Sequence, residues 1–350
     1  MSDDDLALAL LLLGPIATAL VTYGLFGVAR LHTRRGFEIG GLLLGNALGL
    51  ALCLSLLAAM GELYFRFVYD TTDAFAVTKT TQRWLERHYR LNEAGMRDDV
   101  PSYPAARSPG HRRVTFLGDS FTAGFGVNDV EDRFANRVRS RRPDWEIHVL
   151  ADNGWNTGAH LEMLAQHPEY EIDRLVLVYG LNDISDIDAR WEEMRDGLYD
   201  EARPTSFLTG HSFLFNRLHY RGLMWRNRSL SEYFRFNRDA YEIGLWKQQR
   251  SRLVEIHRLV RAKGGQLLVV TFPFVHAIGP DYAYRNVHKK LSRFWSSIEV
   301  PHLDLLPVFD GANPEDLVVN SDDTHPNVRA HGMAADALLP FLDAHLGGDS

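Results

Sequence analysis

Residues 114–127, VTFLGDSFTAGFGV, place an acid and a hydroxyl, Asp119 and Ser120, at the end of a short apolar run. A strand that only filled a core would leave its sheet through a plain turn. This one leaves through groups that can do chemistry, and later apolar runs do the same. ADNGWNTG, with Asn153, Gly154 and Asn156, follows residues 147–150. YGLNDIS closes the run 175–179 with Gly180, Asn182 and Asp183, and NSDDTHPN, past residues 302–306, brings Asp322 and His325. Taken together these positions supply a nucleophile, a base, an orienting acid and amide donors. Singly, each has a plainer role: Ser120 as a helix N-cap, Asn182-Asp183 as a turn, Gly154 as a positive-φ position, Asp322 and His325 as loop residues. Their recurrence just past strands, in this order, favours a reactive site.

The elements that must hold them alternate regularly. Apolar runs at 114–117, 147–150, 175–179, 267–272 and 302–306 are separated by helical stretches such as 134–141 and 241–263, the latter closed by Gly264-Gly265. Short, wholly apolar strands between helices predict a parallel sheet covered on both faces. In such a sheet, ligands collect beyond the carboxyl ends of the strands, near the point where strand order reverses. The polar residues lie at those ends.

On these residues the chain resembles the SGNH hydrolases, also called GDSL esterases and lipases. GDSFTAG matches the first family block, Gly154 the second, Gly180-Leu181-Asn182-Asp183 the third as G-x-N-D, and Asp322-Asp323-Thr324-His325 the last as D-x-x-H. The resemblance runs from Val114 to about Leu346, and upstream RLNEAGMR is similar to a segment found in membrane-anchored bacterial members. It implies a three-layer α/β/α, flavodoxin-like sheet and a serine ester hydrolase that needs no cofactor. Ser120 would attack an ester carbonyl, His325 would take its proton, and Asp322 would orient the imidazole, with Asp323 as the second choice. The backbone N–H groups of Ser120 and Gly154 and the amide of Asn182 would receive the oxyanion. Asp119, Gly180 and Asp183, the remaining block members, would support the site.

Other motifs carry less. GHSFL, with Ser212, lacks the last glycine of a nucleophile elbow and follows no apolar strand. GFGVND lacks the last glycine of a dinucleotide fingerprint. Asp183, Asp186 and Asp188 are dense, but without the glycine and glutamate spacing of a calcium loop. The remaining histidines show no ligand spacing, so no metal is expected.

Ahead of this region lie two uncharged runs, 6–29 and 39–60, each exceeding the roughly 20 apolar residues that cross a bilayer. The opening MSDDD differs from the basic start of a signal peptide, so two spans are expected over residues 1–69. Arg30, Arg34 and Arg35 between them place the bend in the cytoplasm. Everything after the second span then faces outward, into the periplasm if the host is Gram-negative. Residues 70–113, proline-broken, are expected as a connector, and 114–350 as the hydrolase domain with an aromatic and arginine-bearing insertion at about 187–238. That insertion could be a lid, a sugar platform, a patch on lipid headgroups or a plain helical excursion. The charge of −7 gives no indication of nucleic acid, and the single cysteine, Cys53, excludes a disulfide framework. An outward-facing anchor favours an envelope substrate, an O-acetylated glycan before others. An O-acyltransferase with the same triad and a non-catalytic partner protein are the alternatives.

Overall fold

The structure is a computed structural model that describes residues 2–32, 38–167, 170–227, 229–242 and 244–346. Five strands form one sheet: β1 (Arg112–Gly118), β2 (Trp145–Ala151), β3 (Arg174–Gly180), β4 (Gln266–Phe272) and β5 (His302–Asp304). Their order is β2-β1-β3-β4-β5 and every pairing is parallel. This is the flavodoxin-like order, in which strand order reverses between β1 and β3.

Burial explains the apolar make-up of the central strands. Val114, Phe116 and Leu117 of β1 and residues 175–179 of β3 are fully buried, so both faces of each central strand need apolar side chains. Helix Thr157–Gln166 packs with Leu245–Ala262, and Phe134–Arg141 with Val328–Leu346, as the covering layers. Phe116 meets Phe134 edge-on at 5.7 Å. Truncating a buried phenylalanine of this kind costs about 3–5 kcal/mol.

The chain forms two compact units. The larger comprises Thr71–Ala76, Trp84–Leu198 and Arg228–Ser350 and contains the sheet. The smaller comprises Met1–Asp70, Val77–Arg83 and Tyr199–Asn227. Residues 84–113 fall in the sheet-bearing unit, and the middle of the insertion falls in the N-terminal unit.

In the smaller unit, helices Asp3–His32 and Glu38–Leu63 include two stretches, Asp3–Gly27 and Gly41–Val68, long and apolar enough to cross a membrane. Most of their side chains are exposed, Leu20, Tyr23, Leu42 and Leu57 among them. Of the arginine-rich bend, residues 33–37 lie outside the described residues.

Candidate active site

β1 ends at Gly118, and Asp119 turns the chain into the short helix Ser120–Ala123. Asp119 caps that helix in extended backbone, its carboxylate accepting the N–H of Phe121 at 3.0 Å. A capped turn holds the Ser120 hydroxyl in place beyond the carboxyl end of the sheet.

Two short antiparallel strands, β6 (Val318–Asn320) and β7 (Asp323–Pro326), carry the partners of Ser120. His325 Nε2 lies 2.9 Å from Ser120 Oγ. Its Nδ1 lies 2.5 Å from Oδ1 of Asp323, which also accepts the His325 backbone N–H at 3.0 Å. The acid against the imidazole is therefore Asp323, and the expectation of Asp322 is corrected. The reason is strand geometry. Side chains two apart in an extended strand share a face, whereas those three apart point to opposite faces. Asp322 falls in the turn where Asn320 pairs with Asp323, and its own N–H is held by Asn320 Oδ1 at 2.8 Å.

The electrostatics follow this pairing. Burial disfavours charge on Asp323, but His325 and the hydroxyl of Thr72 outweigh it and hold the carboxyl below its ordinary value. Burial likewise opposes a charged His325, yet Asp323, with Asp119 and Asp73, raises its pKa above the usual imidazole value. An imidazole biased in this way is a stronger base toward a hydroxyl.

Thr72 and Arg97 were not among the expected site residues. Thr72 is fully buried and donates to Asp323 Oδ2. Its segment is tied to the β6–β7 turn: Asn320 Nδ2 donates to Thr71 Oγ1 at 2.9 Å and to the Thr72 carbonyl at 3.0 Å, and the Ala74 N–H donates to the Asp322 carbonyl at 3.0 Å. Gly126 faces the same place, and a Cβ there would come within 2.5 Å of Val319 and 3.0 Å of Thr72 Oγ1. Arg97, from the RLNEAGMR segment, clamps the loop after the nucleophile helix. Its guanidinium donates to the carbonyls of Ala123 at 3.2 Å and Val127 at 2.6 Å, and its Nε to His88 at 3.1 Å. The rings of Trp84 and Tyr89 each lie 5.3 Å from it. No residue-type signal marks Thr72, whereas the family-like segment did mark the neighbourhood of Arg97.

On the far side, Asn182 Nδ2 donates to Asp119 Oδ2 at 3.1 Å, so the third block meets the first. Gly154 is exposed with φ of 77° and lies just past β2, whose last residue pairs with Gly118. Gly180 allows the close approach of these groups. A Cβ there would lie 2.7 Å from Asn182 Oδ1, 2.9 Å from Asp119 Oδ2 and 3.4 Å from Asp183 Oδ1. Behind them Asp183 is fully buried, and neither of its carboxyl oxygens has a hydrogen-bond partner. Burial, reinforced by Asp119 and Asp186, pushes its pKa well above the carboxylate range. Burial also raises Asp119. His160, which the sequence did not single out, has Nδ1 3.7 Å from Asp183 Oδ2. Burial drives this histidine down to about 4, so it is neutral at physiological pH.

The discounted motifs have other partners. Ser212 caps helix Phe213–Arg226, accepting the Phe215 N–H. Asp186 forms a two-point pair with Arg252 at 2.8 and 2.5 Å, and Asp188 binds Arg190. Among the described residues no group of three or more His, Cys, Asp or Glu could hold a metal ion.

The parallel sheet of this order carries a serine past β1 and an imidazole-carboxylate pair on a late hairpin, the residue types and contacts that serine hydrolases use. The sequence profile of the GDSL-like Lipase/Acylhydrolase family matches residues 116–333, and the chain belongs to that family of SGNH hydrolases. It is a hydrolase. Solved structures similar to it include one described as TesA, at 15% identity over 67% of this chain and 99% of that one, TM-score 0.42. A lipolytic G-D-S-L family member from Veillonella parvula is 13% identical over 65% and 97%, TM-score 0.42. The psychrotrophic esterase EstA from Pseudoalteromonas, inhibited by monoethylphosphonate, is 14% identical over 68% and 100%, TM-score 0.41. No curated protein matches the chain significantly.

Proposed function

We propose that this chain is a membrane-anchored serine esterase that removes acyl groups, acetyl foremost, from an envelope or extracellular glycan. The observation that carries the esterase chemistry is the contact series Ser120 Oγ, His325 Nε2 at 2.9 Å, and Asp323 Oδ1 at 2.5 Å from His325 Nδ1. Ser120 Oγ attacks the ester carbonyl as its proton passes to His325 Nε2. Asp323 keeps the proton-bearing Nδ1 turned inward and stabilises the imidazolium. The N–H groups of Ser120 and Gly154 and the Asn182 amide receive the oxyanion. His325 returns its proton to the departing alcohol, leaving an acyl-serine. Water, deprotonated by His325, then releases the acid and restores Ser120.

The anchor rests on the two long apolar helices. The outward, periplasmic side of a bacterial inner membrane rests on the basic bend with Arg30, Arg34 and Arg35. The choice of a glycan rests on that location, where acylated polymers are among the esters such a tether would meet. The test combines fluorophosphonate labelling with p-nitrophenyl acetate hydrolysis by purified protein. Labelling and turnover should both vanish in Ser120→Ala, a loss approaching a millionfold for an intact triad. Free acetate should be the product from an acetylated glycan. Acetate appearing instead on an added sugar acceptor would make the enzyme a transferase.

A further inference from the structure

The middle of the insertion belongs to the unit that holds the two apolar helices, and its contacts there set a level relative to them. Glu62, in the last turn of helix Glu38–Leu63, is fully buried. It accepts the Ser212 hydroxyl at 2.6 Å, the Leu214 N–H at 3.0 Å and the Phe213 N–H at 3.3 Å, and it pairs with Arg66 Nε at 2.8 Å. A carboxylate at the open N–H groups of a helix start is favourable, and the guanidinium completes its satisfaction. Helix Phe213–Arg226 therefore begins where the second apolar run ends. Arg66 Nη2 also donates to the carbonyls of Asp4 at 3.0 Å and His211 at 3.1 Å, so the same junction includes the start of the first apolar helix. Leu214 lies against that last turn as well, 3.0 Å from where a Cβ on Gly61 would stand.

From this fixed start the helix has two unlike faces. Phe213, Asn216, Arg217, Tyr220 and Leu223 are buried. At helical spacing on the other side stand Leu214, Leu218, Arg221 and Trp225. Leu218 is 52% exposed and Trp225 87% exposed, a large apolar area to leave facing water. Arg221 and Arg226 stand exposed beside them. Apolar residues with a tryptophan and flanking arginines are the composition of a helix lying in a bilayer interface.

Resting on the reading of the two helices as membrane spans, we infer that helix Phe213–Arg226 lies in the headgroup region of the same bilayer, with Leu218 and Trp225 inserted among the lipids. The occupant of this face is lipid because the helix is fastened by its first turn to the end of the second span, where Phe67 and Val68 are also exposed and apolar.

Single cysteines on a Cys53→Ser background, spin-labelled in nanodiscs of phosphatidylcholine and phosphatidylglycerol, test this. Collision with oxygen reports lipid, and collision with a water-soluble nickel chelate reports solvent. Leu50→Cys within the span and Val254→Cys on an exposed helix of the other unit serve as references. Labels at Leu218→Cys and Trp225→Cys should meet oxygen readily and nickel several-fold less than Val254→Cys, at depths shallower than Leu50→Cys. Nickel access equal to that of Val254→Cys, with Leu50→Cys still in lipid, overturns the inference and leaves the spans intact. Shielding from both reagents means protein covers the face, which also overturns it. Nickel access at Leu50→Cys would instead remove the spanning reading itself.

Discussion

Thr72 donates its hydroxyl to the carboxylate of Asp323, 251 residues further along the chain. That bond fills the carboxyl oxygen that His325 leaves open, so the acid is fixed from both sides. Removing the donor while keeping the shape, in Thr72→Val, should lower kcat by about 10- to 100-fold, the value of a hydrogen bond to a charged group. Thr72→Ser should restore most of it. Steady-state kinetics on both variants, with circular dichroism to verify folding, check the role, and equal loss in both would deny it.

The two adjacent acids should differ sharply. Asp323→Asn places an amide against His325 Nδ1 and favours the wrong tautomer, a change that costs about ten-thousandfold in such triads. Asp322→Asn should leave kcat within a few-fold of the parent. The reverse ranking in a p-nitrophenyl acetate assay would return the role to Asp322.

Gly180 should not tolerate a methyl group. Gly180→Ala would press on Asn182 and Asp119 and pull the Asn182 amide from its place. Loss of one oxyanion donor typically costs about a hundred- to a thousandfold in kcat. Asn182→Ala should match it, and the double variant should be little worse than either alone. Additive losses would mean that Gly180 acts elsewhere.

The pH profile follows from the raised pKa of His325. His325 must be neutral to accept the Ser120 proton, so kcat/KM should climb with pH through one ionisation whose midpoint lies above the ordinary imidazole value. Asp323→Asn removes the anion that favours the charged ring. The midpoint of its residual activity should therefore move to lower pH, and a midpoint that stayed or rose would contradict the pairing. Initial rates across pH 5–9 (roughly, spanning the unperturbed histidine value) decide this.

Orientation is checked by fusions. Alkaline phosphatase joined after Asp70 should be active, and joined at Thr33 inactive, because short arginine-rich loops stay in the cytoplasm. Activity only at Thr33 would invert the arrangement and withdraw the envelope substrate.

How much of this was legible beforehand depended on distance along the chain. Wholly apolar strands between helices already specified a buried parallel sheet, because a strand covered on both faces cannot alternate polar and apolar residues. Ser120, Asn182 and His325 were legible because each stands in a short block at a strand end or hairpin, where chemistry in such sheets is placed. The choice between Asp322 and Asp323 was not legible. It turns on whether the residues before His325 form a turn or an extended strand, and pairing with β6 decides that. Thr72 and His160 left no local signal, since each meets partners far off in sequence that only packing brings near. The insertion shows the same limit. Its aromatic and arginine content suited several roles, and only the folded chain places residues 199–227 in the unit where Glu62 holds the start of helix Phe213–Arg226. Composition and period are written in neighbouring residues, whereas a side chain's partner is set by which distant segments fold against it.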